Sequence, residues 1–60
     1  MEPNELKRRR KALGLSQEQL AVLLDVDEMT VSRWERGVHP IPKYIELAVE
    51  ALEWRRREAA

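Results

Sequence analysis

One stretch, SQEQLAVLLDVDEMTVSRWERG from Ser16 to Gly37, constrains this chain more than any other. It has room for two short helices, a tight turn between them and little else. Ser16 is a good N-cap, and Gln19 three residues on completes a capping box. Leu20, Ala21 and Leu24 recur at helical spacing and share one face. The turn falls near Asp25, and Asp27 can cap the second helix. In that helix Val31, Trp34 and Glu35 fall on one side, and Glu28, Met29, Ser32, Arg33 and Arg36 on the other. Gly37 is the expected stop, because a helix often ends on a left-handed residue and glycine adopts that conformation at little cost.

The rest of the chain supplies two flanking helices. Pro3 and Asn4 open the first, with Asn4 as its cap and Gly14 just beyond its end at Leu13. Five consecutive basic residues, Lys7 to Lys11, lie inside it. Successive helical residues are about 100° apart, so these five surround the helix and cannot all face one ligand. Leu6, Arg10 and Leu13 share a face that the leucines mark as inward, which leaves Arg10 in need of a partner. Lys7, Arg8, Arg9 and Lys11 are expected to be free for solvent or phosphate. VHPIP connects Gly37 to a last helix that starts near Pro42, a residue suited to a first turn. Ile41, Ile45, Ala48 and Leu52 line one stripe of that helix, and Tyr44, Leu47, Ala51 and Trp54 line a neighbouring one. Together they are wider than a small core needs. The spacing predicts helices at about 4–13, 17–24, 28–36 and 42–57. The expected core is Leu6, Leu13, Leu20, Ala21, Leu24, Val31, Ile45, Ala48 and Leu52.

Composition narrows the function classes. The chain has 60 residues and is read as one domain over 1–60. It contains no cysteine, which removes disulfides and thiolate metal sites and fits a cytoplasmic setting. No apolar run approaches the roughly 20 residues needed to span a bilayer, so no membrane partner is expected. The acids form no paired catalytic arrangement, and nothing resembles a nucleotide loop. His39, the lone histidine, has no nucleophile or second ligand and reads as a loop residue. An enzyme, a cofactor, a metal and a small-molecule ligand are therefore not expected. Eleven basic and eleven acidic residues give a net charge of zero, so any affinity for nucleic acid must come from where the charges sit.

The stretch at about 17–36 resembles the helix-turn-helix of the Cro and phage-repressor family, also called XRE-like. The resembling residues are LGLSQ at Leu13 to Gln17, the pair Leu20–Ala21, Val31, and WERG at Trp34 to Gly37. The resemblance implies an all-α, compact bundle of four helices, a lambda-repressor-like DNA-binding domain. The second helix of the motif, about 28–36, would lie in the major groove of double-stranded DNA. By resemblance, Glu28, Met29 and Arg33 match positions that touch base edges, and Ser32 and Thr30 border them. Arg33 can donate two hydrogen bonds to guanine, Met29 suits a thymine methyl, and Glu28 can either accept from cytosine or repel phosphates. Gln17 would reach a phosphate from the start of its helix, with Thr30, Arg36 and Lys43 as further phosphate contacts. The family also pairs an arginine and a glutamate at positions matching Arg10 and Glu35, which implies a mostly buried salt bridge. Two departures stand out: Asp25 replaces the usual turn glycine, and Asp27 the usual serine or threonine cap.

The resulting expectation is a sequence-specific transcriptional repressor that binds a palindromic operator as a homodimer. Leu47, Ala51 and Trp54 are the candidate dimer contacts, unless Trp54 folds back on the first helix near Leu6. The rival is a protein-interaction module, or antitoxin-like partner, that keeps the fold with weak or no DNA binding. Zero net charge, Asp27, Glu28 and the apolar end of the last helix favour the rival. Arg33, Gln17 and the basic surface favour DNA.

Overall fold

The computed structural model describes residues 1–59, and among them there are four helices and no strand. They are α1 (Pro3–Ala12), α2 (Gln17–Leu24), α3 (Glu28–Glu35) and α4 (Lys43–Ala59). Each expected helix is present: α2 has the expected bounds, α3 starts where expected, and the remaining ends differ by one or two residues. α1 differs in how it begins: Glu2 occupies the N-cap position without a side-chain cap bond, and Asn4 lies inside the helix. Pro3 accounts for this, because its fixed φ and missing N–H suit the first helical position.

The first three helices end in the same way. Gly14 and Gly37 both have φ of +74°, and Asp25 has φ of +57°. After α1, the Leu15 N–H donates to the Arg10 carbonyl and the Gly14 N–H to Lys11. After α2, Val26 donates to Ala21 and Asp25 to Val22; after α3, Val38 donates to Arg33 and Gly37 to Trp34. These are three Schellman turns, each satisfying the last carbonyls of its helix. Asp25 holds the middle one because a short polar side chain tolerates the left-handed conformation better than most. Ser16 Oγ accepts from the Gln19 N–H and Gln19 Oε1 from the Ser16 N–H, which completes the capping box of α2.

The core consists of Leu6, Leu20, Ala21, Val31, Trp34, Ile45 and Val49. Leu24 and Leu52 are half-buried against it. Two residues of the expected core are displaced from it. Leu13 is only half-buried, because it caps α1 after the last helical residue. Ala48 is half-buried, because α4 turns the Ile45–Val49 line inward, and the larger Val49 fills the space. Trp34 contributes the largest side chain of the core, from the side of α3 that also carries Val31.

α4 is fastened to α1 by an ion pair and a hydrogen bond. Arg9, expected to be free, is committed to partners within the chain: its Nε and Nη2 donate to Glu53 Oε2 and Oε1 at 2.9 and 2.6 Å, and its Nη1 to Glu5 at 3.1 Å. Arg9 stands on the side of α1 that α4 covers, where a fork-shaped donor finds a planar carboxylate. Arg56 Nη1 donates to the Ala12 carbonyl at 2.9 Å and so closes the end of α1.

Replacing Asp25 with glycine should remove the residual left-handed strain and stabilise the protein by about 0.5–1 kcal/mol. Thermal melting should then rise by roughly 2–8 °C. An unchanged or lower melting temperature would show that Asp25 is unstrained.

Candidate nucleic-acid interface

α3 is set between a buried side and an open one. Asp27 Oδ1 accepts from the Met29 N–H at 3.1 Å and fixes where the helix starts. Val31 and Trp34 are buried one turn apart, so the opposite side must face out. On that side Glu28 and Met29 are exposed, and Thr30, Ser32 and Arg33 are half-exposed. Met29 keeps 53 % of its surface in solvent, so it lies outside the core. Arg33 follows Met29 by one helical turn, and Ser32 follows Glu28 in the same way. Ser32 Oγ accepts from Arg36 Nε at 3.2 Å, which leans the Arg36 guanidinium along the end of α3.

A buried ion pair holds this helix against α1. Arg10 Nε donates to Glu35 Oε2 at 2.7 Å, and its Nη2 to Oε1 at 3.0 Å. Its Nη1 reaches the Leu15 carbonyl at 2.9 Å, in the turn before α2. Gln17 Nε2 donates to Glu35 Oε1 at 3.0 Å from the first residue of α2. The side chains of Arg10 and Glu35 keep only 9 % and 3 % exposure. One carboxylate therefore joins α1, the start of α2 and the end of α3. Burial by itself would raise the Glu35 carboxyl, but hydrogen bonds from Arg10 and Gln17, with the charges of Arg10 and Lys7, bring it below its ordinary value. The Arg10 guanidinium is correspondingly raised by its bonds to Glu35.

The sequence-derived site is thus distributed over three places. Glu28, Met29, Ser32 and Arg33 lie together on α3, with Thr30 and Arg36 at their border. Gln17 sits behind them with one amide N–H committed to Glu35, which leaves its second N–H for another acceptor. Lys43 is exposed at the first turn of α4. Leu47, Ala51 and Trp54 are exposed further along α4, and Trp54 does not fold back on Leu6: it is 58 % exposed. Its Nε1 donates to Glu58 at 2.8 Å, and the Arg57 guanidinium lies 5.5 Å from the ring centre. The Gln17–Glu35 and Arg9–Glu53 bonds have no sequence signature, since they join residues 18 and 44 positions apart. Among the described residues no group of side chains is arranged to hold a metal ion. No described helix is long and apolar enough to cross a membrane.

Two capped short helices at a tight turn, the second with an open polar edge, define a helix-turn-helix module. A helix-turn-helix family model matches residues 6–58, and the chain belongs to this XRE-type family of DNA-binding regulators, that of Cro and the phage repressors. Searches of the curated proteins and of the solved structures each returned no match.

Arg10→Met should strand the Glu35 carboxylate and destabilise the protein by about 3–5 kcal/mol, measured by urea denaturation. Wild-type stability in that variant would contradict the account of the buried pair. Glu35 also sets an acid response. Its carboxyl is lowered in the folded state, so its contribution is fully present above the unfolded value near 4.5. That contribution should fade as pH falls from there through the lower folded value. Glu53, lowered by Arg9, should act with the same sign. A melting temperature that is flat with pH across that window would contradict both.

Proposed function

We propose that this chain is a sequence-specific repressor acting in the cytoplasm, with residues 1–60 as one DNA-binding unit. α3 enters the major groove of a palindromic operator, and two copies bind its half-sites. The observation that carries this reading is the open edge of α3, where Met29 and Arg33 are held outward by the burial of Val31 and Trp34 behind them. On that edge Arg33 donates to guanine, Met29 covers a thymine methyl, and Glu28 accepts from cytosine N4. Gln17, Thr30, Arg36 and Lys43 hold the phosphates on either side. Because the chain is electrically neutral, weak attraction for random DNA leaves more of the discrimination to these base contacts.

A second reading, a protein-interaction module of the same fold, draws on the commitment of Arg9, Arg10 and Arg56 to partners within the chain. Electrophoretic shift on random duplex at low and high salt separates the two, since a phosphate-binding surface gives a complex that salt dissolves. Selection of bound sequences from a random duplex pool then identifies the operator. Against that operator, Arg33→Ala should cost about 1–3 kcal/mol and relax preference at one position, whereas Gln17→Ala and Lys43→Ala should weaken binding to all sequences alike. Equal losses on selected and random duplex for Arg33→Ala would remove it from the base-reading set.

A further inference from the structure

The outward side of α4 carries a pattern that the DNA-reading edge does not use. Tyr44, Leu47, Ala51 and Trp54 follow one another at steps of three, four and three residues, the repeat of a coiled-coil seam. All four are exposed, although α4 buries Ile45 and Val49 on its other side. In heptad terms Tyr44 and Ala51 take the a positions, and Leu47 and Trp54 the d positions. The flanking g positions hold Lys43, Glu50 and Arg57, and the e positions hold Ala48 and Arg55. Glu50, Arg55 and Arg57 are exposed beside the stripe. A shallow depression of about 580 Å³ lies there, lined in part by Leu47, Ala51 and Trp54.

We propose that this stripe is the seam of a homodimer in which α4 pairs, parallel and in register, with α4 of a second copy. Glu50 of each copy then faces Arg55 of the other. The proposal rests on the operator-binding reading above and specifies how its two copies meet. Charge selects the parallel arrangement. In a parallel pair a g residue meets the next e residue of its partner, so Glu50 meets Arg55 twice, and Lys43 meets uncharged Ala48. In an antiparallel pair with the stripes fully overlapped, Glu50 meets Glu50 and Lys43 meets Arg57, all of like sign. Polarity agrees: a two-fold axis along α4 puts both Lys43 ends, and so both DNA-reading units, at one end of the dimer. That placement lets both units face one duplex, whose half-sites lie about 34 Å apart. Size agrees too, because the Ala51 layer lets the helices approach and leaves room for the two Trp54 indoles beside it. The seam occupies a helix of 17 residues, so the dimer is weak alone and strengthens when both copies hold DNA.

Sedimentation equilibrium up to millimolar concentration tests this on the wild type, Glu50→Arg, Arg55→Glu and the double variant. Each single reversal should weaken association about tenfold, and the double variant should recover it. All these positions are exposed, and unchanged melting temperatures will show that the fold is kept. A strict monomer overturns the proposal, and so does recovery of Glu50→Arg by Arg57→Glu in place of Arg55→Glu, which would mark a shifted antiparallel pair. Binding to a duplex carrying one selected half-site separates this outcome from the wider reading. If half-site preference persists without pairing, only the α4 seam fails; if the wild type shows no preference for any duplex, the operator reading fails first.

Discussion

The carboxylate of Glu35 is the point at which this small fold is joined. It lies almost wholly out of water and receives bonds from Arg10 and Gln17. Removing two charges from water is unfavourable, and their attraction offsets this only when geometry is good and the remaining donors and acceptors are satisfied. Here the guanidinium turns one edge, Nε and Nη2, to the carboxylate and its Nη1 to the Leu15 carbonyl. The same contacts fix the rotation of α3 about its own axis, since Glu35 and the buried Trp34 occupy adjacent positions on it. A regulator that reads base edges depends on that rotation, because a turn of one residue would bring a different set of side chains to the groove.

Charge is the second constraint. Basic and acidic residues are equal in number, and several of each are committed to partners within the chain. Arg9, Arg10 and Arg56 are tied to Glu53, Glu35 and the Ala12 carbonyl, so part of the basic run of α1 serves to hold α4 and α3 in place. Lys7, Arg8 and Lys11 remain on the exposed side of α1. The acidic start of α3, Asp27 and Glu28, adds negative charge on the exposed side of that helix.

Much of the fold was legible in the sequence because its signals are local. The capping pair Ser16 and Gln19, the glycines after α1 and α3, and the leucine spacing of α1 and α2 each report on a few neighbouring residues. Asp25 was legible for the same reason, as a short polar residue in a turn. Packing between distant segments was less visible. Ile45 can begin a stripe with Ala48 or with Val49, and only the way the helix packs on the core decides between them. Arg9 shows the same limit: five adjacent cations look alike until a carboxylate 44 residues away selects one. At the interface, the outward set on α3 followed from helical periodicity, whereas the bond from Gln17 to Glu35 depends on how closely two helix ends approach.

The three Schellman turns carry an implication for how the chain reaches this structure. Each closes a helix through bonds spanning five residues or fewer, from Arg10 to Leu15, Ala21 to Val26 and Arg33 to Val38. Nothing distant is needed to form them, so each helix can be delimited while the rest of the chain is still a coil. Chains dominated by such near-neighbour contacts reach their native state in microseconds to milliseconds, because little loop-closure entropy is lost before contacts form. The slower part of the search is then the arrival of α4, whose ion pair and hydrogen bond to α1 reach across most of the sequence.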